Sequence, residues 1–195
     1  MSLSEEEWSQ LSAAFKEAET ALFEAEQVCN HLVIPSVNEL RYAGSHMLCA
    51  ALEENSGTAR ESFRKALAHC QRATYDAYDS IIVYLLGQID TFKGDYRTVP
   101  IVPHFANYEL LRTRAREAKD MLDTARANHD SRETYYTACK KIYPDLQKYC
   151  EQMEDAREEL NKAVKVHNRG IRNTWVSISV TVIIGAVSIF IAILK

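Results

Sequence analysis

Arg112, Arg116 and Lys119 recur at spacings of four and three, so a helix through them gathers all three on one face. Guanidinium forks and an ammonium on one face suit phosphate oxygens. Arg60 and Arg64, with Lys65 and Arg72, crowd a second stretch. Either surface is expected to take a nucleotide or single-stranded nucleic acid, with Tyr75 or Tyr78 nearby for stacking. Glu117, Asp120 and Asp123 offer a plainer alternative, a solvated face of mixed charge. Residues 1–160 hold all 27 acidic residues against 18 basic ones, a net of −9, which opposes general nucleic-acid affinity but not a small phosphorylated ligand in a local pocket. A third constellation is Arg41 and His46, an R-x4-H spacing that Arg64 and His69 repeat. A cleft between facing helices would be needed to bring such a pair onto a scissile phosphate. Nothing else assembles. The chain has no Gly-rich phosphate loop, nucleophile elbow, HExxH or helical Glu-x-x-His, and His31, His104, His129 and His167 stand alone. Cys29, Cys49, Cys70, Cys139 and Cys150 are odd in number without CxxC spacing, and read as buried, reduced thiols. No cofactor and no metal are expected, and no enzymatic activity.

The strongest signal lies at the other end of the chain. Trp175 to Leu194 runs for twenty residues without a charge, about 30 Å of helix, which matches a bilayer's hydrocarbon core. Residues 161–195 carry Lys162, Lys165, Arg169, Arg172 and Lys195 and no acid, a net of +5. Basic residues flanking a span favour the cytoplasmic side and anionic headgroups, so the preceding region is expected in the cytoplasm and the span in the inner (plasma) membrane. The opening MSLSEEEWSQ lacks a signal peptide's basic and apolar regions, so the C-terminal run is the expected targeting element, inserted after translation. Ser177, Thr181, Gly185 and Ser188 form a narrow face of small, weakly polar groups along it. Small residues at this spacing let helices approach, so the face predicts a homo-oligomer, and a larger ring would line a pore with Arg169 and Arg172 at its mouth. A single anchor with serines bonded to their own backbone is the alternative.

These groups need helices to position them. With 6 Gly and 4 Pro and no strand alternation, the fold is expected to be all-α: a bundle of long antiparallel helices over 1–168, a basic junction over 169–174 and a transmembrane helix over 175–194. Helices are predicted near 4–30, 36–54, 58–92, 105–128 and 131–168. Capping boxes are read at Ser36 with Glu39, at Thr58 with Glu61 and, more loosely, at Asp130 with Glu133. Two heptad seams stand out: Trp8, Leu11, Phe15, Ala18, Leu22 and Ala25, and then Cys139, Ile142, Leu146, Tyr149, Met153, Ala156, Leu160 and Ala163. They can pack on each other inside one bundle, or the 146–163 seam can self-associate and run on into the span. Pro144 predicts a bend near Tyr143, and Gly170 a hinge or cap before the membrane.

The R-x4-H pairs resemble the metal-independent HEPN ribonucleases, small helical bundles that pair across a dimer. That likeness implies a membrane-tethered ribonuclease using Arg41 and His46. The architecture of the whole chain, mainly 131–195, resembles instead the membrane effectors of bacterial antiphage defence, above all the effector subunit of Hailong-type systems. There a nucleotidyltransferase partner supplies a nucleic-acid signal and the effector opens an oligomeric ion channel. The resemblance implies a tetramer-like homo-oligomer, a ligand on the basic surfaces and depolarisation of the cell. A tail-anchored helical adaptor or scaffold binding partner helices is the third expectation.

Overall fold

The computed structural model describes residues 3–127 and 132–193, with side-chain surroundings given for all of these except 126, 132, 133 and 187–193. Among the described residues the chain is all-helical: α1 (Glu5–Cys29), α2 (Ile34–Leu52), α3 (Ser56–Asp95), α4 (Tyr108–Ala127), α5 (Arg132–Asp155) and α6 (Arg157–Ile193). The 40-residue α3, about 60 Å long, is the axis. Glu7 meets Arg60 and Cys29 meets Ser80, so α1 runs parallel to α3; Ser36 bonds Ala73 while His46 reaches His69, so α2 runs back. At its other half, Tyr135 bonds Asp79 and Arg157 bonds Asp95, which makes α5 parallel to α3, with α4 descending between. Successive helices from α1 to α5 are therefore antiparallel, α6 follows α5 across a one-residue turn, and α3 is shared by two three-helix bundles.

Small residues set how closely these helices approach. Ala18, Ala21 and Ala25 of α1, Ala43 and Ala50 of α2 and Ala66, Ala73 and Ala77 of α3 are buried, so backbones pack where larger side chains would hold them apart. The second half is filled by larger groups: Ile81, Ile82, Ile89 and Phe92 of α3 against Leu111, Leu146, Met153 and Leu160. The two seams do not zip to each other. The first packs chiefly on α3 and the second on α3 and α4 alike, and Leu146, Met153 and Leu160 are buried within one chain.

Helix ends depart from the sequence expectations in instructive ways. α1 opens on a capping box that the sequence reading passed over: Ser4 Oγ accepts from the Glu7 backbone N–H, and Glu7 accepts from the Ser4 N–H at 2.7 Å. Ser36 does not cap α2. The helix starts two residues earlier, with Pro35 in its first turn, and the Ser36 hydroxyl is buried, donating to the Ala73 carbonyl at 2.8 Å. α3 is capped by Asn55, whose side chain accepts from the Gly57 N–H at 2.9 Å, and not by Thr58. The cap read at Asp130 and Ser131 lies outside the described residues. α5 continues through Pro144, and the break falls at the Ala156 turn. No hinge occurs at Gly170, which lies inside α6.

α6 leaves the bundle early. Its root is held by Arg157, bonded to Glu154 and Asp95, and by Asn161, which accepts from the Tyr96 hydroxyl at 3.1 Å. From Lys165 to Ala186 every residue is exposed, Ile171, Trp175, Ile178, Val182 and Ile183 included. Among the described residues no helix is long and apolar enough to cross a membrane. Side-chain surroundings are described over residues 175–186 of the uncharged run, about 18 Å of helix. The side chains of its remainder, Ser188 among them, lie outside the described ones.

Candidate functional site

Along α4 the buried row is Leu111, Ala115, Ala118 and Leu122. Arg112, Arg116 and Lys119 each follow a member of that row by one position, so they emerge at the edge of the α3 contact. Opposite them α3 offers Val83, Leu86, Gly87, Asp90 and Lys93. Because Ala115 and Gly87 are small, the helices leave a groove of about 620 Å³ between these rows. A Cβ added at Gly87 would meet open space. Three of the cations the sequence singled out thus converge here, joined by Lys93, which it did not single out.

The groove's cations differ in how they are engaged. Arg112 Nη1 donates to both carboxylate oxygens of Glu109, at 3.1 and 3.2 Å, and Lys93 bonds Asp90 at 3.2 Å. Exposed pairs of this kind contribute about 0–1 kcal/mol, so an incoming anion can draw either cation away at little cost. Arg116 and Lys119 have no carboxylate within 4 Å among the described residues. The neighbouring Arg114 faces the other way, held by Glu117 and Asp145.

Arg60 and Arg64 are not part of this groove. Arg60 approaches Glu7 at 3.7 Å, and Arg64 is exposed some 40 Å along α3 from Lys93. Of the two tyrosines considered for stacking, Tyr78 is buried with its hydroxyl on Glu24, which removes it from ligand contact. Tyr75 lines a separate cavity of about 400 Å³ with Gln71, Arg72 and Tyr136.

The two R-x4-H pairs meet through their histidines alone. His46 and His69 stack with centroids 5.2 Å apart and planes 16° from parallel. Arg41 lies over the Tyr42 ring, 4.5 Å from its centre, and Arg64 is exposed. Glu39 organises the cluster instead, accepting from Arg72 Nε at 2.8 Å with His69 Nδ1 at 2.7 Å. Burial alone would raise the Glu39 carboxyl, but the bonds from His69 and Arg72 hold it below its ordinary range. Burial, and then the charges of His69, Lys65 and Arg72, lower the His46 imidazole. This is a polar clip between α2 and α3.

A second polar set escaped the sequence reading. Tyr78 and Tyr143 both donate to Glu24, at 2.8 and 3.1 Å; Tyr136 donates to Glu17 at 2.5 Å, and Tyr135 to Asp79 at 3.0 Å. Glu17 and Glu24 are seven apart, as are Tyr136 and Tyr143, and that matched spacing fixes the register of parallel α1 and α5. Burial pushes the thiols of Cys70 and Cys139 up to about 11 and that of Cys150 to about 12, which removes them as nucleophiles; Cys49, expected inside, is exposed.

On α6 the Thr181 hydroxyl donates to the Ser177 carbonyl at 2.9 Å, satisfied within its own helix, and Gly185 faces open space. Arg169 and Arg172 are exposed, on one face with Lys162 and Lys165. Among the described residues no cluster of three or more His, Cys, Asp or Glu is placed to hold a metal ion. No family model, curated protein or solved structure matches the chain, so its activity is argued from this geometry.

Proposed function

We propose that the chain is a non-enzymatic, self-assembling membrane effector. The α1–α5 bundle works in the cytoplasm and takes a phosphate-bearing signal in the α3/α4 groove. The Trp175–Leu194 run anchors it in the inner membrane, and the assembled spans open an ion-conducting path that depolarises the cell. The observation that carries this reading is the free-standing stretch of α6, exposed from Lys165 to Ala186 and without a charged residue from Trp175 to Ala186, with Ile178, Val182 and Ile183 bare. An uncharged helix with such bare aliphatic side chains has no stable place in water and is covered by lipid or by other helices. Both coverings agree with the twenty uncharged residues, with the basic residues before them and with small Ser177 and Gly185 on one side. Because Thr181 is bonded to its own backbone, its part in assembly is its small size more than a cross-helix hydrogen bond. The likeness to Hailong-type effectors supplies the setting, antiphage defence in which a partner enzyme makes the phosphate-bearing signal.

The root of α6 gives the groove a route to the span. Lys93 and Asp90 lie within two turns of Asp95 and Tyr96, the groups that hold Arg157 and Asn161. A shift at the end of α3 is passed to a helix with no break before Ile193.

The test has three parts on one preparation. Full-length protein should stay with carbonate-washed membranes while a chain ending at residue 170 is released. In detergent it should have the mass of an oligomer. In liposomes it should leak ions when phosphate-bearing ligands are added, with alkyl phosphates, nucleotides and short single-stranded oligonucleotides tried in turn. A monomer that leaves liposomes tight under every ligand overturns the proposal.

A further inference from the structure

We infer that the ligand of the α3/α4 groove is an aliphatic phosphate, one anionic head on a flexible apolar chain, and not a nucleobase-bearing compound; this rests on the reading of the groove as a phosphate site. Three features of the lining carry it. No aromatic side chain is among the groove's lining residues, and the Tyr108 ring beside it lies under Arg112, 5.8 Å from the guanidinium, so a base finds no open ring to stack on, the contact that usually secures it. The floor is aliphatic instead. Val83 is 43% exposed there although branched and apolar, Leu86 lies beside it, and Gly87 leaves vacant the space a side chain would fill. Finally, polarity is graded along the groove. Lys93 and Arg112 sit where α3 ends and α4 begins, whereas Val83 and Leu122 sit about 15 Å away, with Arg116 and Lys119 between.

That gradient suits a molecule charged at one end. Arg116 and Lys119 receive the head without giving up any ion pair, and Lys93 and Arg112 close on it from exposed pairs that are cheaply broken. Asp123 at the aliphatic end repels a second anionic group, so a compound phosphorylated at both ends is disfavoured. At about 620 Å³ the groove is within the range of small-molecule sites and larger than a lone phosphate needs.

Calorimetry on the full chain in phosphatidylcholine nanodiscs, with hexyl phosphate, inorganic phosphate and adenosine monophosphate as probes, tests this. Hexyl phosphate should bind at least tenfold more tightly than inorganic phosphate, because each buried methylene adds roughly fourfold. An Arg116→Gln, Lys119→Gln double variant, exposed and foldable, should lose that binding and also reports any partitioning into the disc. Gly87→Leu and, separately, Val83→Ser should abolish the gain from the chain and keep the weak phosphate binding. Equal affinity for hexyl and inorganic phosphate, or tighter binding of adenosine monophosphate, overturns the inference and leaves the phosphate site standing. No binding of any probe overturns both.

Discussion

Leu146, Met153 and Leu160 are sealed inside the bundle, whereas Ile171, Trp175 and Ile178, which continue the same helical row, stand bare. The two stretches differ little in periodicity. What differs is the length of the partner. α3 ends at Asp95, where it meets Arg157, so the row runs out of covering helix within two turns of the Ala156 break. Spacing therefore marks a face that must be covered, and the lengths of neighbouring elements decide whether the chain covers it itself.

The largest expected effect breaks this comparison directly. Leu146→Ala empties a fully buried position and should cost about 2–5 kcal/mol in urea unfolding of the detergent-solubilised protein, without changing its membrane fraction. Ile171→Ala, in the bare stretch, should change bundle stability by less than about 0.5 kcal/mol. If the two cost the same, α6 has a partner of its own in the monomer and the contrast fails. Next in size is Glu24→Ala, which strips the acceptor from Tyr78 and Tyr143. Leaving the buried Tyr78 hydroxyl unmet should cost about 1–3 kcal/mol, and Tyr78→Phe in the Glu24→Ala background should recover part of it.

How far the sequence could be read follows the same division. The all-helical architecture and most helix bounds were legible, because the apolar spacing of α1, α3 and α5 is dictated by what each buries. Helix starts were less so. Ser36 has the chemistry of a cap, but the buried Ala73 carbonyl is a partner fixed by tertiary packing, and no local pattern announces it. The Arg112, Arg116 and Lys119 face was legible from spacing alone; Lys93 was not, since its place opposite them depends on α4 folding back along α3. The R-x4-H spacing foretold less of its surroundings. Five residues along one helix do not make a cleft, and the histidines were gathered by α2 and α3 crossing, with Glu39 and Arg72 completing the group. The Tyr–Glu ladder was legible in principle, from equal seven-residue steps on α1 and α5.

The polar clip supplies a smaller, pH-dependent contrast between the halves of the bundle. His46 is held below its ordinary value, so as pH falls through the imidazole range the unfolded chain takes up a proton before the folded one does, and stability declines. Glu39, also held low, adds a further loss as pH drops through the carboxylate range. Urea midpoints should therefore slope downward from pH 7.5 to 5.5, and His46→Gln should flatten that part of the slope. Hydrogen exchange should place the acid-induced opening in α2 and the first half of α3 and leave α4 and α5 protected. Loosening that begins in α5 would show that the clip is not the sensitive element.

The smallest effect sharpens the comparison most, because it uses the same substitution on both sides of it. Gly87 and Gly185 are both helical, and a Cβ at either meets open space. In α3, Gly87→Ala should stabilise the bundle by about 0.5–1 kcal/mol, since alanine loses less backbone entropy on forming a helix and touches nothing in the groove. In α6, Gly185→Ala should leave bundle unfolding unchanged and act only where copies meet, lowering the oligomeric fraction in detergent if backbones approach at that position. Open space around Gly87 is a property of the folded monomer, whereas open space around Gly185 is what a second chain would fill in the proposed assembly. Equal oligomer mass for wild type and Gly185→Ala would place the assembly contact on another side of α6.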